Sequence, residues 1–163
     1  MLSVVLVPKD VLRLKFALKN TRRQAGIEVK LLPKRGAKAF VKELRKRISS
    51  QNFGSEEYTA LNPRYAAWKA KNGKKGGFWE MDRTLYDNLV AYRDSAGDWV
   101  GGINPSAMTD DGIPVSFYAR KLEEGTEYIP ARPLFKPTYF DFKYQIWPGM
   151  VEKSAENIRK RYK

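Results

Sequence analysis

The side chains that most often carry out catalysis are missing. The chain has no cysteine and no histidine. That excludes disulfides, zinc fingers and any Cys/His nucleophile–base pair, and it removes the commonest general base. A metal site would have to be built from oxygen ligands alone. Asp110 and Asp111 stand together before Gly112, but no further carboxylates follow at fixed offsets. This triplet reads as a turn. Lys71 to Gly77, KNGKKGG, is the one phosphate-like loop, and it lacks the G-x-x-x-x-G-K-[ST] order of a nucleotide-binding loop. A mobile cationic surface loop is the first reading, phosphate contact the second. No spacing supports a small nuclease built from Lys, Arg, Tyr and Glu. The residues point to binding rather than to an enzyme, with no cofactor and no metal.

Charge says what is bound. Lysine and arginine number 31 against 18 acids, a net +13 over 163 residues. Such a field favours nucleic acid, an acidic membrane face or an acidic protein surface. The aromatic fraction of 13% is high and interleaved with the cations, as a single-strand binder needs. A basic nucleic-acid-binding protein is therefore the alternative function, although no helix-turn-helix or RRM pattern occurs. Met1 to Val7 is apolar but far too short to span a bilayer, and Lys9, Asp10 and Arg13 break any signal-peptide pattern. No membrane partner is expected; synthesis and use inside a cell, or in a particle assembled there, is.

The most constrained stretch runs from Tyr118 to Thr138. Pro130, Pro133 and Pro137 each lack an N–H, fix their own φ and push the preceding residue towards extended backbone. Tyr128 to Lys136 therefore reads as a stiff extended arm carrying Tyr128, Ile129, Leu134 and Phe135. Before it, Ser116 is placed to cap a helix over Phe117–Glu124, and Gly125 falls where a left-handed residue ends a helix. On its residues alone, this arm is first read as packing within the chain and only then as a docking element.

The remaining elements position it. Leu2–Val7 reads as a short strand or arm. Lys9–Gln24 fits a helix or an alternating strand, with helix preferred and Gly26 ending it. Ile27, Val29 and Leu31 alternate with Glu28 and Lys30 as a half-buried strand closed by Pro33. Gly36–Ser50 is the clearest helix, with Ala37, Phe40, Val41, Leu44 and Ile48 as its apolar stripe and a basic face that is first read as solvated. Asn62 caps a helix with Pro63 at its first position, ended by Gly73. Phe78–Asn88 reads as a short helix on Met81, Leu85 and Leu89. Leu89–Arg93 and Trp99–Ile103 flank a five-residue loop with Gly97 and predict a hairpin. Tyr139–Trp147 fits strand or helix, with helix preferred, then a kink at Trp147-Pro148-Gly149. Val151, Ala155, Ile158 and Tyr162 mark a last amphipathic helix. The class is α+β: a small mixed sheet with a β-hairpin packed by amphipathic helices, the proline-rich arm and a C-terminal helix. The reading is one domain over 1–163, with an N-terminal arm (1–8) and a C-terminal extension (139–163).

Tyr118-Ala119, Leu122-Glu123 and Gly125-Thr126, followed by Ile129-Pro130-Ala131-Arg132-Pro133-Leu134-Phe135-Lys136-Pro137, resemble the signature of a family of tailed-bacteriophage neck, tail-completion and virion-morphogenesis proteins. Its pattern is Y-A-x-x-(apolar)-E-x-G-T, then A-R-P-(apolar)-(apolar)-x-P. The likeness covers about the last third of the chain. It extends more weakly to the helix around Trp68 and Lys69 and to Leu85. There, Asp82 and Arg83 stand where the pattern has threonine and glycine.

The resemblance implies a structural virion protein at the neck or tail end. It would act in tail completion and head–tail joining, in the manner of a tail terminator. It implies a homo-oligomeric ring around the channel, six-fold first and twelve-fold second. Neighbouring neck, connector or tail proteins would be its partners, and genomic DNA would pass through the ring. The protein would be assembled in the host cytoplasm and reside in the virion. Tyr128, Ile129, Arg132, Leu134 and Phe135 are then the expected contacts with subunits or neighbours. Gly125, Pro130, Pro133 and Pro137 form the turns, and Glu123 pairs with Arg132 or a backbone donor.

Overall fold

The computed structural model describes residues 8–53, 58–80 and 83–160. The Leu2–Val7 arm, Met81, Asp82 and Tyr162 lie outside them. The architecture is mixed helix and strand, as expected: a two-stranded antiparallel sheet with helices packed against it.

Helix α1 runs from Pro8 to Ser50. Its 43 residues span about 65 Å at 1.5 Å per residue. The helix preferred for Lys9–Gln24 and the one expected from Gly36 are thus parts of a single element. The break at Gly26 and the strand over Ile27–Leu31 are corrected. Alternation failed there because the sheet has no third strand to pair with among the described residues. Ile27 and Leu31 instead share one helix face, one turn apart, and both are exposed. Pro33 sits inside the helix and removes the N–H that would bond to Val29. Both residues are on the exposed side, where water can take the freed carbonyl. Across this weak point Arg35 Nη1 donates to Glu28 Oε2 at 2.6 Å, and Glu28 is buried.

The second half of α1 is the spine of the core. Val41, Leu44 and Ile48 pack against Leu85, Leu89, Val115, Ala119, Leu122 and Leu134. The hairpin forms with the expected bounds. Strands β1 (Leu89–Arg93) and β2 (Trp99–Ile103) pair with Leu89 opposite Ile103 and Arg93 opposite Trp99. Asp94 Oδ1 accepts from the N–H groups of Ala96 and Asp98, which closes the loop. At Gly101 the sheet touches α1. A Cβ there would stand 2.7 Å from the Ala37 carbonyl oxygen, so only glycine allows the approach.

Helix α2 (Pro63–Lys71) starts as expected, with Asn62 Oδ1 accepting from Arg64 N–H at 2.9 Å. The helix expected over Phe78–Asn88 shrinks to α3 (Thr84–Asp87). Trp79 at φ +60° and Arg83 at φ +70° both leave helical backbone. Trp79 does so because its ring is drawn into the core, where it is only 4% exposed. Helix α4 covers Val115–Glu124. Ser116 is inside it and caps nothing; the preceding position is Pro114.

Helix α5 (Phe135–Asp141) runs through a wide turn, Phe142–Ile146, into α6 (Trp147–Lys160). The helical alternative for Tyr139–Trp147 is the one observed. In the wide turn Trp147 N–H reaches back five residues to Phe142 C=O. The helix thus widens just before Pro148, which has no N–H to give, and the expected kink is a local widening rather than a break. The C-terminal segment folds back on α1. Phe142 packs edge-on to Phe40, Trp147 covers Gly36, and Asp141 pairs with Arg47. The inward face of α6 is shifted from the expected stripe: Ser154 is buried while Val151 is 40% exposed. No helix among the described residues is long and apolar enough to cross a membrane.

Candidate functional site

The proline segment is held by the end of α4. The helix stops because Gly125 takes φ +78° with extended ψ, a region closed to other residues. A Cβ at Gly125 would also meet Ala131 N at 2.7 Å. Thr126 then closes a tight loop. Its N–H donates to Ile129 C=O at 2.8 Å, and its Oγ1 accepts from Tyr128 and Ile129 N–H. The chain returns to α4 where Arg132 N–H donates to Leu122 C=O at 2.8 Å.

Glu123 does the central work. Its Oε2 accepts from Leu134 N–H at 2.7 Å and Phe135 N–H at 2.9 Å, and its Oε1 from Lys136 N–H at 2.9 Å. These donors head α5 and have no partner within that helix. The next residue is Pro137, which has no N–H to satisfy. One carboxylate therefore caps the whole helix start and sits at the positive end of its dipole. Of the two partners expected for Glu123, the backbone is the one observed. The extended arm ends at Leu134, two residues earlier than expected, because Phe135 and Lys136 already belong to α5.

The sequence-predicted contact residues separate into two groups. Leu134 is 1% exposed within the core, and Arg132 is buried. Phe135 is half-buried edge-on to Trp79, and Ile129 is half-buried against the core. Tyr128 alone stands out, at 87% exposure. Pro130 is exposed, and Pro133 and Pro137 are half-buried. Pro133 C=O accepts from the Tyr58 hydroxyl.

Beneath the segment lies a polar cluster that spacing did not reveal. Arg132 Nη2 reaches Thr59 C=O at 3.3 Å, and its guanidinium lies over the Phe78 ring. Trp79 Nε1 donates to Arg132 C=O at 3.1 Å. Lys69 is buried, and its Nζ donates to the carbonyls of Gly77 and Glu80 at 2.9 and 2.6 Å. Burial pushes its pKa below the ordinary lysine value; Glu80 opposes this and Arg132 adds to it. The cationic loop is thus tied down through Lys69. Gln51 also grips it, with Oε1 accepting from Phe78 N–H at 2.7 Å.

Two surfaces remain. Tyr139, Phe140 and Tyr144 form an exposed aromatic ladder along α5 and the wide turn, with the last two rings stacked. A groove of about 580 Å³ lies between α1 and β1, lined by Lys38, Lys42, Arg45 and Lys46 and by no acid. No cluster of three or more metal-ligating side chains occurs among the described residues. Among known proteins, no family model, curated sequence or solved structure matches the chain.

Proposed function

We propose that the chain is a structural subunit of a tailed-phage particle, acting at the neck or tail end in tail completion and head–tail joining, and that it closes into a ring. The observation that carries this reading is the Glu123 clamp. The signature residues Glu123, Gly125, Thr126 and Pro137 all serve one construction, a rigid loop that presents Tyr128 outward. A preorganised loop tipped with an exposed aromatic docks at low ordering cost. Arg83 adds support: it adopts left-handed backbone at the position where the signature has glycine. The ring would be six-fold in the first instance and twelve-fold in the second. Its repeating contact must close by rotation or grow without limit. Tyr128 and the Tyr139–Phe140–Tyr144 ladder supply the exposed anchors for that contact.

Immunogold labelling of particles from a host carrying the gene tests the reading. Gold at the head-proximal end of the tail is expected. Label confined to the soluble lysate, with heads and tails bare, would remove the chain from the particle.

A further inference from the structure

The groove beside β1 offers two kinds of recognition at once. Asp94 N–H bonds to Asp98 C=O at one end of the hairpin and Asn104 N–H to Asn88 C=O at the other. Antiparallel pairing alternates, so Val90 and Tyr92 bond to β2 while Leu89, Ala91 and Arg93 turn their backbone groups to the free edge. The Leu89 carbonyl confirms the direction, because Arg45 Nη2 takes it at 2.8 Å from the α1 side. Ala91 lines the groove, and the described structure pairs no further strand with β1. Along the facing wall, Lys38, Lys42 and Lys46 repeat every four residues on one face of α1, and all three are exposed. None of them has an ion pair among the described residues.

We infer that this groove is a docking site for an acidic, extended segment of a partner protein, which adds beside β1 as a third strand. Beyond the Leu89 carbonyl that Arg45 holds, the edge supplies alternating donors and acceptors at Ala91 and Arg93, as strand addition requires. The lysine row supplies charge complementarity that sets the sign of the partner. This chain, at +13, is a poor source of such a segment, so the partner is a different protein. A nucleic acid fits less well. Its phosphates offer no donors to match the edge carbonyls, and Tyr86, the groove's one aromatic ring, already lies under Arg45 and Arg83. The inference stands whether or not the chain belongs to a virion.

The test uses a fluorescent peptide of alternating glutamate and valine, the same peptide N-methylated at alternate residues, and oligothymidylate. The full chain should bind the first peptide, and N-methylation should abolish binding. Replacing Lys38, Lys42 and Lys46 together by glutamate should weaken it about tenfold or more. Hydrogen exchange should slow at the Ala91 and Arg93 amides but not at Tyr92. If the triple variant fails to fold, the methylated peptide and the exchange pattern still decide. Equal binding of both peptides, tighter binding of oligothymidylate at the same salt, no peptide binding, or unchanged edge amides would each overturn the inference.

Discussion

A single carboxylate, Glu123, satisfies three backbone donors at once. Removing it leaves the Leu134 and Phe135 donors unpaired in a half-buried setting and the Lys136 donor to water, so Glu123→Ala should cost about 2–3 kcal/mol in denaturant unfolding. Glu123→Gln keeps an acceptor oxygen and should cost less. Equal losses would mean that the clamp acts through packing rather than hydrogen bonding. Gly125→Ala should cost about 1–3 kcal/mol, because positive φ and a backbone clash combine. Lys69 gives a pH signature. Its folded pKa lies below the ordinary value, so in the window between them the unfolded chain holds a proton that the folded chain has released. Its contribution to stability is therefore lowest below the folded pKa and rises with pH towards the ordinary value. Compared with Lys69→Met, the wild type should gain stability between neutral pH and about pH 10. A difference in stability, wild type minus Lys69→Met, that stays constant or falls as pH rises would contradict the burial.

Among the elements, α1 carries the sharpest claim, since it runs unbroken through Pro33. An exposed interior proline opposes a helix by up to about 3 kcal/mol, so Pro33→Ala should stabilise the protein by about 1–3 kcal/mol. No gain in thermal unfolding would mean that the helix is divided there. The same element shows where sequence reading ran out. Alternation at Ile27, Val29 and Leu31 looks like a strand locally, and nothing local reveals that no partner strand exists. Conversely, the hairpin was legible because its loop and both strands lie within fifteen residues, from Leu89 to Ile103. The Asn62 cap was legible because capping acts over two residues. Trp79 was hidden because its position depends on Arg132, 53 residues away. Glu123 was legible as a turn holder, but the number of donors it gathers depended on how α5 begins.

At the level of the whole molecule, the stretch from Tyr118 to Thr138 packs inward along most of its length and leaves one ring exposed. Leu134 and Arg132 face inward, while Tyr128 faces out on a loop fixed from below. Tyr128→Ala should therefore change unfolding stability by less than about 0.5 kcal/mol. It should nevertheless weaken self-association, as read by sedimentation. Loss of stability on the scale of a core substitution would place that ring in the fold instead.

The net charge of +13 sets up the decisive comparison between an assembling subunit and a nucleic-acid binder. The most direct measurement is the mass of the purified protein in solution across salt concentrations, with and without DNA. A ring-forming subunit should show the mass of one closed multiple of the chain, with nothing larger, unchanged by DNA at physiological salt. A persistent monomer that binds DNA tightly, with affinity falling steeply as salt rises, would contradict it.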